Sequence, residues 1–204
     1  DFEKIIEKIE EPRYRAKQIY RWLWKKNVHS FQEMKNISKR CREHLISNFK
    51  ISHAKISTQI KSKDGTMKFL FCLEDGSKCE GVLIPEKNRV TACISSQVGC
   101  SFACKFCATG NMKRKRNIMS HEIFDQVSLM MDKSYKEYNM GITNIVYMGM
   151  GEPLVNYQNV IDSINYLTST EALNMSSKRI TVSTVGVSKM IKKLADEKLK
   201  VNLA

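Results

Sequence analysis

CSFACKFC, Cys100 to Cys107, sets three cysteines in a CxxxCxxC run directly after a short apolar segment. Thiolates are soft ligands, and three on one short loop can close around three irons of a four-iron cluster, leaving the fourth iron open to a small molecule. Structural zinc is the rival reading. It needs four closed ligands, usually in paired knuckles, so Cys93 or Cys79 would have to supply the fourth. The remaining alternative is three buried free thiols acting as small hydrophobes.

Outward from this loop the chain alternates strand and helix. Strands are predicted near 91–95, 143–148, 179–184 and 200–204, and helices near 120–136, 157–168 and 188–197. Ile123, Val127, Met130 and Met131 give the first of these helices an apolar stripe, with Ser120 as its cap, so these methionines are core. Parallel strands with crossover helices imply an open sheet or a barrel, whose sites gather at the C-terminal ends of strands. The cysteine loop follows the first such strand. After the second comes Gly149-Met-Gly151-Glu152-Pro153, where glycines allow close backbone approach and Glu152 offers a carboxylate to an ammonium, or where a glycine-rich turn simply enters a helix. Ser183, ending the third strand, is placed to bond a ribose or carboxylate, or merely to cap.

Upstream the periodicity changes twice. From about 54 to 90 it is two, with Ile56, Thr58 and Ile60 alternating and Asp64-Gly65 and Asp75-Gly76 marking hairpin turns. Residues 1 to about 50 read as helical, with Ala16, Ile19, Tyr20 and Leu23 on one face, Cys41, Leu45 and Phe49 continuing the pattern, and a Ser30 to Glu33 capping box. Arg13, Arg15, Lys17, Arg21, Lys25 and Lys26 surround Trp22 and Trp24, a mixture suited to phosphate contact with stacking nearby, although both tryptophans also suit a core. The expected division is a helical accessory domain at 1–52, a hairpin meander at 53–90 and a βα series at 91–204.

At 204 residues and 42% hydrophobic, the chain can bury a real core. Its 34 basic residues against 21 acidic give a formal +13, which favours a polyanionic partner such as RNA. Seven cysteines, an odd number, argue against a disulfide framework and for a reducing compartment, with the cytoplasm as the default. DFEKIIEKIE lacks the basic and apolar regions of a signal peptide, and no apolar run approaches the ~20 residues that span a bilayer.

CxxxCxxC with Phe106 before its last cysteine, followed by a βα series with GMGEP, resembles the radical S-adenosylmethionine (SAM) enzymes. ACISSQVGCSFACKFCATG, ITNIVYMGMGEPLVNYQNV and SSKRITVSTVGV are similar to the RlmN family of dual-specificity RNA methyltransferases, which act on C2 of adenine in 23S ribosomal RNA and certain tRNAs. The resemblance covers nearly the whole chain. It implies an α/β fold: a partial radical-SAM (βα) barrel preceded by a small helical N-terminal domain and a β-hairpin meander. It further implies a [4Fe-4S] cluster on Cys100, Cys104 and Cys107, and S-adenosyl-L-methionine chelated to the open iron. Gly151, Glu152 and Ser183 would contact that cofactor, and Glu80, in CEGVLIP, would be the proton acceptor. In the family one SAM methylates a protein cysteine, and a radical from a second activates that methyl group for addition to the base. An electron donor such as flavodoxin is implied, and no membrane.

Two departures stand out. Lys113-Arg114-Lys115-Arg116 replaces the usual glycine, phenylalanine and basic residue after the loop, four adjacent cations that either contact phosphate or form a solvated loop. The chain also stops at VNLA, inside the expected fourth strand, and none of Cys41, Cys72, Cys79 or Cys93 matches the methyl-carrying cysteine. The piece is therefore expected to load a cluster but not to turn over. A sister family methylating C8 of adenine and a non-catalytic zinc-stapled RNA-binding module are the alternative functions.

Overall fold

A computed structural model describes residues 2–204, which form two compact units. The first comprises the chain up to His53 together with Tyr166–Met175. It is built on helices α1 (Phe2–Lys8), α2 (Tyr14–Trp24) and α3 (Lys39–Asn48). Ile6, Ala16, Ile19, Phe31, Met34, Cys41 and Leu45 share its core, as the 3.6-residue spacing of α2 and α3 requires. Phe49 leaves the predicted stripe: it ends α3 in an extended conformation and stays exposed. The box at Ser30 is offset by one residue, since Ser30 accepts from the Gln32 amide while Glu33 reaches back to the His29 N–H at 3.0 Å. The Trp24 ring stacks on Tyr166 at 4.2 Å, and Trp22 bonds Asn36 while carrying the Lys26 ammonium over its face. Of the predicted cations, Lys17 and Arg21 both pair with Glu171, and these bonds, Arg21 foremost, hold its carboxyl down at about 2.

The second unit, Ala54–Asn165 with Ser176–Ala204, holds one seven-stranded sheet. β1 (Lys55–Lys61), β2 (Met67–Cys72), β3 (Lys78–Glu86) and β4 (Arg89–Cys93) form an antiparallel meander. β5 (Gln97–Val98) and β6 (Arg116–Asn117) pair separately, and α4 (Ser120–Tyr138) follows. β7 (Asn144–Tyr147), α5 (Tyr157–Thr168, its residues from Tyr166 onward belonging to the first unit), β8 (Ile180–Val182), α6 (Ser188–Asp196) and β9 (Asn202–Leu203) complete the unit. The sheet order is β1-β2-β3-β4-β7-β8-β9, parallel from β4 onward. The meander is thus continuous with the βα series, because β4 closes the last hairpin and opens the parallel sheet. The expected boundary at 90 falls inside β4.

The two faces of the sheet differ. Met67, Phe69, Phe71, Cys79, Leu83, Ala92, Ile145, Tyr147, Ile180 and Val182 are buried on one. α4 covers it at Gly81, where an added Cβ would lie 3.4 Å from Met130 Cε, and α5 where the Ser163 hydroxyl meets Tyr147. The other face carries a transverse row running from Ile60 through Lys68, Val82, Cys93, Val146 and Thr181 to Asn202. Ile60 is exposed on this face, where its alternation with Ile56 would have placed both on one side. A bulge between Ile56 and Thr58 shifts the register, so Ile56 lies opposite Phe71 and Thr58 opposite Leu70. Ser120 is the first residue of α4, not its cap; that position is Met119, whose N–H donates to the Glu122 carboxylate at 2.9 Å. Among the described residues no helix is long and apolar enough to cross a membrane.

Candidate functional site

The parallel strands β4, β7 and β8 end on the same side of the sheet, and the predicted site residues sit there or on its open face. The cysteine loop leaves β4 through β5 and returns through β6, with Gln97 opposite Asn117 and Val98 opposite Arg116. Between them the arms stay close: the Cys100 N–H donates to the Met112 carbonyl at 3.3 Å, and the Phe102 N–H to Cys100 Sγ at 3.4 Å. At the neck Gly99 has φ +77°, and a Cβ there would lie 2.4 Å from the Lys113 carbonyl oxygen. Only glycine lets the arms approach this closely. Cys104 and Cys107 share one turn, the Cys107 N–H donating to the Cys104 carbonyl at 3.0 Å. Cys100, Phe102, Gly110, Met112, Lys113 and Arg114 help line an open cavity of about 530 Å³. Phe106 is 93% exposed.

All three thiols are free and half-buried on this loop. Among the described residues, however, no group of three or more histidine, cysteine or acidic side chains is converged into a metal-holding set. The donor chemistry fits an iron-sulfur cluster, since three thiolates lie on one glycine-closed loop, and their convergence is left to the ligand. The two cysteines considered as a fourth zinc ligand lie elsewhere. Cys79 is fully buried on the helix-covered face, and burial pushes its thiol up to about 12, the reverse of what a ligating thiolate needs. Cys93 faces the opposite side, and burial raises its thiol too.

GMGEP forms a glycine turn that enters α5 through a short 3-10 turn, Pro153–Asn156. Gly151 has φ +95°, and a Cβ there would lie 2.4 Å from Gln97 Cβ. The close approach that its glycine permits is made by this chain's own Gln97. Glu152 is 3% exposed, and both its oxygens accept backbone N–H groups, Oε1 from Leu154 at 3.0 Å and Oε2 from Val185 at 2.9 Å. The carboxylate thereby ties the β7 turn to the segment after β8. Alanine at Gly151 combines a strained φ with a clash, so a loss of about 2 kcal/mol or more is expected in chemical denaturation. Ser183, half-buried just past β8, donates to the Tyr147 carbonyl at 2.6 Å.

Glu80 lies on β3 opposite Leu70, on the open face, and pairs with Lys68 Nζ at 2.8 Å. Thr58, Ile60, Lys68, Leu70 and Glu80 border a cavity of about 190 Å³. Ser95 and Gln97, not singled out in the sequence, connect these parts. The Ser95 hydroxyl donates to the Glu80 carbonyl at 2.5 Å and accepts from the Met150 N–H at 2.8 Å. Gln97 accepts from the Glu152 N–H at 3.0 Å and donates to Asn117 at 2.8 Å. Both are buried, so β3, the β7 turn and the neck of the loop share one polar network shielded from water.

A partly parallel α/β sheet with a three-cysteine loop after its first parallel strand and a buried glycine-glutamate turn after the second has the build of a partial radical-SAM barrel. Residues 94–203 match the radical SAM superfamily, and residues 1–51 match the ribosomal RNA large subunit methyltransferase N-terminal domain. The chain belongs to the radical SAM superfamily. Similar curated proteins include the probable dual-specificity RNA methyltransferase RlmN of Cytophaga hutchinsonii, 55% identical over 95% of this chain and 53% of that protein. That of Flavobacterium psychrophilum is 56% identical over 94% and 55%. A solved radical SAM methyltransferase from Sphaerobacter thermophilus superposes with a TM-score of 0.87 at 36% identity, covering 98% of this chain and 59% of that one. The chain spans about half the length of the curated relatives it matches.

Proposed function

We propose that the protein is a radical SAM methyltransferase acting on C2 of adenine in 23S ribosomal RNA and in certain tRNAs. The observation that carries this is the glycine-necked loop of Cys100, Cys104 and Cys107 at the end of β4, in a chain similar to RlmN enzymes along nearly all its length. Cys100, Cys104 and Cys107 would hold a [4Fe-4S] cluster. Gly151, Glu152 and Ser183 would line the place of S-adenosyl-L-methionine. When bound, these groups supply a radical route to a carbon that is neither acidic nor nucleophilic.

The chain's own side chains have narrower tasks. Glu152 has two lone-pair directions beyond those taken by Leu154 and Val185, which suit an ammonium at the edge of the turn. Ser183 would turn a hydroxyl lone pair to the cofactor while donating its proton to the Tyr147 carbonyl. Glu80 would take the proton from the substrate carbon, and Lys68 keeps its carboxylate on the open face. Trp24 and Arg21 are already engaged within the N-terminal unit, so RNA recognition there rests on the shape of the unit and its remaining basic surface. A reducing partner of the flavodoxin kind completes the requirement.

Mass analysis of nucleosides tests the reading, using RNA from cells lacking their own adenine-C2 methyltransferase and supplied with the intact protein. 2-Methyladenosine is the expected product. 8-Methyladenosine would assign the chain to the sister chemistry. No methylation together with one bound zinc would leave an RNA-binding module.

A further inference from the structure

The four cations after the cysteine loop do not act as a group. Lys113, Arg114 and Lys115 are exposed, whereas Arg116 is half-buried between two carboxylates. Every N–H of its guanidinium has an acceptor. Nε donates to Asp75 Oδ2 at 2.7 Å, and Nη2 to Asp75 Oδ1 at 2.9 Å and Glu122 Oε1 at 2.8 Å. Nη1 donates to Glu122 Oε2 at 2.7 Å and to the Asn117 carbonyl at 3.0 Å. Two bidentate forks on one guanidinium are charge-assisted and geometrically demanding, and a lysine ammonium, with three donors at one point, reproduces neither.

Three elements are thus joined at one side chain. Arg116 is on β6 opposite Val98, so it sits at the neck where both arms of the cysteine loop meet. Glu122 is in the first turn of α4, its side chain 7% exposed, and it also caps that helix through the Met119 N–H. Asp75 is at the β2–β3 hairpin tip, 41 residues earlier, braced by the N–H and hydroxyl of Ser77. We infer that Arg116 is a positioning residue that fixes the neck of the cysteine loop to the sheet and α4, and that the Asp75 hairpin is part of the same anchor. A long loop carrying unconverged thiols loses more entropy on closing around a ligand when its ends are free, so a fixed neck favours closure. The role in cluster retention rests on the proposed cluster; the anchoring of the loop does not.

Hydrogen exchange of the metal-free intact protein tests the anchor, with Arg116→Lys, which keeps the charge and loses the forks, and Asp75→Asn. Exchange across 98–113 is expected to rise about tenfold or more in Arg116→Lys and about threefold in Asp75→Asn, while β7 and β8 keep their protection. After anaerobic reconstitution, both variants are expected to release iron to a chelator about tenfold faster than the unaltered protein, with the visible spectrum unchanged in shape. Unchanged exchange in the loop, or a rise spread evenly over the sheet, would overturn the anchor. A wild-type protein that takes up no iron, with the loop still loosened by Arg116→Lys, would sink the cluster and uphold the anchor. Exchange on the Glu86–Arg89 ion pair of the β3–β4 hairpin serves as control, since breaking that exposed pair with Arg89→Gln is expected to leave 98–113 unaltered.

Discussion

Replacing Cys100, Cys104 and Cys107 together by alanine is expected to take the anaerobically reconstituted protein from about four irons per chain to background, with loss of the brown absorbance. The fold is expected to survive. The loop's arms are held by backbone bonds, such as Cys100 N–H to Met112, and among the described residues its sulfurs add the weak contact of Cys100 with the Phe102 amide. The sheet beneath rests on Phe69, Phe71, Leu83 and Ile145, none of which belongs to the loop. Far-ultraviolet circular dichroism and the denaturation midpoint should therefore barely move while iron falls to nothing. Cys79→Ser is the informative contrast, because that thiol faces the helix-covered side and stays protonated, so its loss should leave iron content unaltered. Retained iron in the triple variant, or its loss in Cys79→Ser, would move the metal site off the loop.

The parts of the fold legible in the sequence are those governed by period and turn chemistry. Alternation with Asp-Gly pairs gave the meander, and the helices at 120–138, 157–168 and 188–196 lie close to their apolar stripes. Departures occur where one residue changes register or where a contact is distant in sequence. The bulge at β1 moves Ile60 from one face to the other, and no composition marks it. Arg116 reads as one of four cations that contact phosphate or form a solvated loop, because Asp75 and Glu122, which hold it, are 41 and 6 residues away. The glycines of GMGEP do signal close approach, but the group that approaches Gly151 is Gln97 of the same chain. Buried polar residues such as Ser95, Gln97 and Asn156 look like ordinary loop residues until the topology stacks three strand ends together. Segment 166–175 joins the N-terminal unit although it begins within the end of α5, a partition that local periodicity cannot express.

Glu80 is the residue whose role depends most on the resemblance, and its placement makes a sharp test possible. Neighbours in β3 alternate: Cys79 and Gly81 turn toward α4, whereas Glu80 turns to the open face with Lys68 and Leu70. Its backbone is fixed by the Ser95 hydroxyl, which also holds the Met150 amide, so a change at the carboxyl group leaves the link to the β7 turn intact. Glu80→Gln keeps the size and the position on the strand while removing a proton acceptor. In the intact protein the methylation rate should fall by about 10²- to 10⁴-fold, the range spanned by a lost general base. Iron content, SAM affinity and RNA affinity should stay within about twofold, because the lost interaction is one made only as the proton leaves. Lys68→Met separates chemistry from placement. It removes the ammonium 2.8 Å from the carboxylate and leaves the proposed base itself, so a smaller loss of rate than in Glu80→Gln is expected. Full methylation by Glu80→Gln would remove Glu80 from the reaction and leave its ion pair with Lys68 as a feature of the sheet alone.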